Sequence, residues 1–508
     1  MSETVLPPRV HAREAAAVLL IAAVFVAAML VTMGRLSRPW WDEVQGAEVA
    51  ANLLTGKGFT SAALLTQPRH EFFASSSPLF HLLMFAWLKA FGVSALAVRS
   101  FGYVLAAIIS LVVWMAVARH RIIVRPGHRL LLVVLILCGL SMGRVYLNNR
   151  YDAPGVVLAA LVFLSSSITA QGWRLTWLFT GSLLMPCFGV QQAPFGGLMA
   201  LVGLWVCGRA FWRDFAAIVA GLATGLAGVL LYLHTQGLLA AFGRAARFDV
   251  QMLDGRFYQL SMFLNGIGRF DRNDATILAA ALGLCLLAPS VRRQIHARSP
   301  LVVGILCALG VPLVMTLAGR YSPMYAWMAF VPVAICSLAA LERELDGARI
   351  AQRVVLAAIL LACVVGVPAK IAISASEWEA RDVGRLDAFM AQYIRPDDRV
   401  YCAFAAYYPA KRLARDVWTG CGWSTMSPQE RGTLSLIIVE PMKFGRAAPP
   451  EGPAAETALA ALPGQWRLVD RYVTLRGRLS EAFWPRFTSE APLDDEIFHL
   501  VVYRKSSP

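Results

Sequence analysis

A chain of 508 residues that is 57% hydrophobic and only 16% charged, with a mean hydropathy of +0.57, falls outside the soluble classes, in which about a quarter of residues carry charge. Disorder and collagen-like repeats fail on the same numbers. The net charge of +15 comes without an interleaved basic and aromatic stripe, which argues for no nucleic acid partner and leaves the positive-inside bias of a polytopic membrane protein as its source.

The first apolar run, Ala15 to Met33, is long enough to span about 30 Å of hydrocarbon as a helix. Arg9 and Arg13 before it put the N-terminus in the cytoplasm. The run is too long for the apolar part of a cleaved signal peptide. An outer loop, residues 34–97, follows. It opens with WWDEVQGAEVAANLLTGKGF, Trp40 to Phe59, in which Asp42 and Glu43 stand at a helix start and Gly56 and Gly58 stop the helix. The helix dipole favours carboxylates there, so plain capping is one reading of the pair. Pro78 to Gly92, which contains His81, reads as a helix in the outer interface.

Val98 to Ala118 crosses inward to a basic loop with Arg119, Arg121, Arg125 and Arg129, and Leu130 to Tyr146 returns outward. It delivers LNNRYDAPG, Leu147 to Gly155, where Arg150 and Asp152 flank Tyr151; a structural ion pair is the plain reading. Further spans are read over Ala153–Ala170, Leu175–Val190, Pro194–Phe211, Phe215–Leu233, Ala275–Leu287, Leu301–Leu317, Met324–Leu341 and Val354–Ile373. That gives about eleven spans by the length rule, and the loop arginines collect on the cytoplasmic side.

Beyond Ser374 the composition turns soluble. Strand-like runs at Arg399–Phe404, Leu434–Val439, Trp466–Val473 and Phe498–Tyr503, with helical stretches between them, predict a small α/β domain. The chain therefore divides into a transmembrane domain, 1–373, and a C-terminal extracytoplasmic α/β domain, 374–508. Cys402 and Cys421 lie in that outer domain, and an oxidising compartment would permit a disulfide between them. The remaining cysteines sit in apolar stretches and read as core residues.

Two acids and several arginines at one membrane boundary suggest a site for an anionic amphiphile. Arg150, Arg244, Arg247, Arg256, Arg269 and Arg320 are the outer-side candidates for phosphate, since a guanidinium binds it bidentately. His70, Glu71, His81 and His234 show no metal-ligand spacing. No metal ligand is assigned, although a divalent cation stays open as a cofactor.

Several motifs carry a family resemblance. Asp42-Glu43 is followed by SSSPLFHLLMFAWLKAFG, Ser75 to Gly92, then by Ala97-Val98-Arg99, Arg150–Asp152, GRYSPMYAWMAFVP from Gly319 to Pro332, and RVYCAFAAYYPAKR from Arg399 to Arg412. This order resembles the GT-C superfamily of polyprenyl-phosphate-sugar-dependent glycosyltransferases. The nearest branch is the protein O-mannosyltransferase and lipid A aminoarabinose transferase group (family 39/83-like). A lysine-bearing stretch of that family is replaced here by Gln191-Gln192-Ala193-Pro194.

The resemblance implies a GT-C-type polytopic α-helical fold with a periplasmic α/β domain, in a bacterial inner membrane. It also implies transfer of a sugar, with inversion, from a polyprenyl-phosphate donor to a hydroxyl on an envelope glycan, lipid or protein at the outer face. Asp42 and Asp152 are then the expected catalytic acids; Glu43, Tyr321 and the arginines above are the expected substrate ligands. The chemistry is self-consistent: the donor's leaving group needs no protein acid, one carboxylate deprotonates the acceptor, and cations meet the developing phosphate charge. The competing classes are a lipid or solute transporter, which calls for repeated halves or mid-span charges, and a non-catalytic envelope assembly protein. Convergence of Asp42, Asp152 and arginines on one site separates the enzyme from both.

Overall fold

The computed structural model describes residues 12–39, 41–63, 67–74, 76–147, 149–190, 195–197, 199, 202–203, 205, 211–251, 274–296, 298–317, 325, 327–376, 378–379, 381–439, 459, 462–473 and 499–506. The apolar runs of the sequence become helices. In chain order these begin with α1 (Ala12–Thr32), α2 (Trp41–Leu54), α3 (Pro78–Phe91) and α4 (Ala95–Arg119). Then come α5 (Pro126–Cys138), α6 (Leu140–Leu147), α7 (Asp152–Ser165), α8 (Gln171–Phe188), α9 (Phe211–Thr235) and α10 (Leu239–Gln251). The last of this part are α11 (Asp274–Cys285), α12 (Pro300–Leu317), α13 (Trp327–Arg343), α14 (Arg349–Val364) and α15 (Val367–Ser376).

Every span expected from the sequence, except the one over 194–211, coincides with one of these helices or with a bent pair. Residues 194–211 are described at only some positions. Among the described residues, α1, α4, α9 and the run Arg349–Ala372 are each long and apolar enough to cross a membrane unaided. The pair α5 and α6, bent by 52°, passes the same test only when taken together, as a broken span or a re-entrant loop. Helices α7, α11 and α12 are apolar but shorter.

Helix α4 sits at the centre, touching α1, α3, α5, α6 and α7. Helices α1, α9 and α14 lie outside and turn large apolar side chains outward, among them Leu20, Leu231 and Leu360, as lipid-facing helices do. Glycines set the closest contacts. A Cβ at Gly102 would collide with the Tyr146 carbonyl, which brings α4 onto α6. Gly221 and Gly225 of α9 likewise lie against the Phe179 and Leu183 carbonyls of α8. At one end of the bundle Glu14 of α1 accepts hydrogen bonds from Trp114 Nε1 at 2.8 Å and Arg129 Nε at 2.6 Å. The start of α1, the end of α4 and the start of α5 therefore meet beside the basic loop.

The C-terminal part carries a five-stranded sheet of order β2-β1-β3-β5-β4. Its strands are β1 (Arg399–Cys402), β2 (Asp416–Thr419), β3 (Leu436–Val439), β4 (Trp466–Val473) and β5 (His499–Lys505). β1 pairs in parallel with β2 and β3, whereas β5 runs antiparallel to β3 and β4. Helices α16 (Val383–Ala391), α17 (Tyr407–Leu413) and α18 (Pro428–Gly432) connect and cover it.

This part docks on the loop between α1 and α4. Arg35 pairs with Asp382 at 2.7 Å, and the Val383 amide donates to the Gly34 carbonyl at 3.0 Å. Lys57 and Arg69 reach Asp416 at 3.5 and 3.1 Å. The loop between α1 and α4 and the C-terminal part thus share one face. Cys402 carries a free thiol, so the expected bridge to Cys421 is not made. Its strand lies inside the sheet, between β2 and β3, and burial pushes the thiol up to about 12.

Candidate active site

The site forms where the start of α2 meets the turn between α6 and α7. Asn149 closes that turn at φ 43°, a left-handed conformation that asparagine tolerates better than most residues. The reversal aims Arg150 at α2. Arg150 Nε donates to Asp152 Oδ2 at 2.7 Å, and Arg150 Nη1 donates to Asp42 Oδ2. The guanidinium lies 5.7 Å from the Tyr325 ring centroid and 5.9 Å from that of Tyr151. One planar fork thus joins acids that are 110 positions apart in the chain.

The three members differ in access. The Asp152 side chain is 0% exposed, that of Arg150 5% and that of Asp42 20%. Asp152 is therefore enclosed, Arg150 bridges the two acids, and Asp42 is the most accessible of the three. Among the described residues the cluster sets two carboxylates against one guanidinium.

Glu43 does not serve this cluster. One helical residue is about 100° of rotation, and the step turns Glu43 towards Arg99 Nε at 3.0 Å and the Tyr408 hydroxyl at 3.0 Å. Both members of the Glu43–Arg99 pair are buried, with side chains 0% and 1% exposed. Burial pushes the Glu43 carboxyl above the ordinary carboxylate range, against the pull of Arg99 and Tyr408. Glu43, expected to contact substrate, here links α2 to α4 and α17.

His81 is also committed. Its Nδ1–H donates to the Gly46 carbonyl at 3.2 Å, so Nε2 accepts from Ser76 Oγ at 2.8 Å. Desolvation lowers its pKa to about 4, and the ring is neutral. Among the described residues no group of three or more His, Cys, Asp or Glu side chains is placed to hold a metal.

Arg244 is exposed on α10. The side chain of Arg247 on the same helix, and Arg256, Arg269, Arg320 and Tyr321, lie outside the described residues. Tyr325, Glu48, Tyr407, Tyr408 and Lys411 are site neighbours that the sequence did not single out. The signal for the last three was present as the YYPAKR run, whose acidic partners on α2 only the fold reveals.

No protein-family profile matches the chain, and no curated protein sequence matches it. Solved structures do. ArnT from Cupriavidus metallidurans bound to undecaprenyl phosphate superposes with a TM-score of 0.56 at 12% identity, over 95% of this chain and 97% of that one. The same protein in the apo state gives 0.54 at 13% identity, over 95% and 98%. The chain has the GT-C fold. End-to-end coverage of both chains extends that likeness to the membrane helices and the C-terminal α/β region together. The Asp42–Arg150–Asp152 cluster lies beside the Glu43–Tyr408 contact, through which α2 meets the C-terminal part.

Proposed function

We propose that the chain is an integral membrane glycosyltransferase that moves a sugar from a polyprenyl-phosphate donor to a hydroxyl acceptor, with inversion. The observation that carries this reading is the reachable carboxylate of Asp42, fixed by a buried Arg150–Asp152 pair. The bound undecaprenyl phosphate of a structure with the same fold supports a lipid-linked donor.

In the proposed reaction Asp42 takes the proton of the acceptor hydroxyl. The acceptor oxygen bonds to the anomeric carbon on the face opposite the phosphate. The bond from that carbon to the phosphate oxygen breaks, and polyprenyl phosphate leaves with the electron pair. No protein acid is required, because the phosphate is already a good leaving group. Arg150 holds the carboxylate in line, and Asp152 holds Arg150. The phosphate falls to cations outside the cluster, for which Arg244, Arg247, Arg256, Arg269 and Arg320 are the proposed ligands, with Tyr321 as a hydrogen-bond partner.

The acceptor is an envelope glycan, lipid or protein. The reading places the chain in a bacterial inner membrane, with residues 1–373 as the transmembrane domain and 374–508 outside the cytoplasm. The test is transfer from a panel of defined polyprenyl-phosphate sugars by the purified full chain, with the product's anomeric configuration read by NMR. Product of inverted configuration supports the reading. Retained configuration, or no transfer from any donor to any acceptor class, removes it.

A further inference from the structure

Two consecutive tyrosines of the C-terminal domain each hold a different acid of α2. Tyr408 donates to Glu43 Oε1 at 3.0 Å, and Tyr407 donates to Glu48 Oε2. Lys411, one helical turn further along α17, reaches Glu48 Oε1 at 3.1 Å and also donates to Asn52 Oδ1. All of these groups are buried or nearly so. Glu43 is tied in addition to Arg99 of α4, which donates to the Met33 carbonyl just beyond α1 at 2.6 Å. Among the described residues no other buried acids lie on α2.

Glu43 and Glu48 are five residues apart, so they lie about 140° apart around α2 and about 7.5 Å apart along it. Pins on two faces at two heights block rotation in both senses and block sliding. Asp42 is the residue next to the first pin, and its aim at Arg150 depends on the rotation those pins fix.

We propose that the C-terminal domain is a positioning element for the reaction, with Tyr407 and Tyr408 as positioning residues that fix the rotation of α2 and so the direction of Asp42. A carboxylate turned by a fraction of a helical step loses its line to the acceptor proton, and misplacement of about 1 Å costs on the order of 100-fold in rate. The inference rests on the transfer reading for its kinetic test, and a second readout keeps the two separable.

The experiment compares wild type, Tyr407→Phe, Tyr408→Phe and the double variant as full chains in nanodiscs, well below their melting temperatures. Phenylalanine keeps both buried rings and removes only the hydroxyls. Where the wild type transfers sugar, the proposal predicts that kcat falls at least tenfold in the double variant while the donor KM stays within twofold. Each single variant falls between the two. A merely structural contact would lower the melting temperature and leave kcat unchanged; an unchanged kcat in the folded double variant, or in both singles if the double does not fold, overturns the proposal. Where the wild type transfers from no donor, the transfer reading fails and hydrogen exchange decides. Faster exchange over residues 41–54 in the variants supports the pinning, and unchanged exchange there overturns it.

Discussion

Neighbouring residues on α2 carry opposite assignments because a helix rotates by about 100° between them. Asp42 faces the Arg150–Asp152 pair, and Glu43 faces Arg99 and Tyr408. The sequence showed two adjacent acids at a helix start and could not divide them, since the division depends on residues 56 and 365 positions away from Glu43. His81 illustrates the same limit. Its neutral state comes from burial and from the Gly46 carbonyl, which chain spacing does not reveal. This makes stability depend on pH in a defined sense. The folded pKa of about 4 lies below the unfolded value of about 6.5. The unfolded chain therefore binds a proton that the native ring refuses, and stability is lost as pH falls from about 6.5 to about 4. His81→Gln should flatten that part of the stability curve, measured by thermal unfolding between pH 7 and pH 4 relative to wild type. An unchanged slope would assign the acid sensitivity to other groups.

At the scale of elements, hydropathy made most helices legible because a span must be apolar over its whole length. Two features escaped. Strand β2 is only the four residues Asp416–Thr419, too short to show an alternating pattern of its own, and pairing with β1 is what makes it a strand. The break between α5 and α6 falls at Gly139 inside one apolar run. Its cause is tertiary: the Phe330 ring crowds Gly139, and Asp274 of α11 accepts from the Ser141 amide at 3.2 Å at the new helix start. Glycine contacts are likewise visible only once helices pair. Gly225 lies against the Leu183 carbonyl, whereas Gly228, three residues on, has open space. Gly225→Ala should therefore force α8 and α9 apart and cost about 1–3 kcal/mol. Gly228→Ala should be neutral or stabilise by up to about 1 kcal/mol. Thermal unfolding of the two variants side by side checks this; equal midpoints would mean that α9 does not press on α8.

For the whole molecule, the docking of the C-terminal domain on the loop between α1 and α4 links two parts of the chain that the sequence assigned to one side on the strength of arginine-rich loops alone. The reading that those loops are cytoplasmic then gives a direct expectation. Reporter fusions at Gly127 and at Lys411 should report opposite sides of the membrane, and the same side for both would overturn the map. The overall fold was legible through composition, span lengths and the motif order; the arginines proposed for the phosphate could not be narrowed, because arginines scattered over long loops carry no periodicity that says which of them converge. The Asp42–Arg150–Asp152 cluster has the clearest geometry, and the proposal that Asp42 is the base rests on it.

That claim is tested most directly by the transfer rate of Asp42→Asn beside wild type, with donor binding measured on the same preparations. Asparagine keeps the shape of the side chain and an acceptor for Arg150, but it cannot take the acceptor's proton. The account predicts a folded protein that binds the polyprenyl-phosphate donor as wild type does and transfers sugar on the order of 100- to 10,000-fold more slowly. Transfer at the wild-type rate would contradict it.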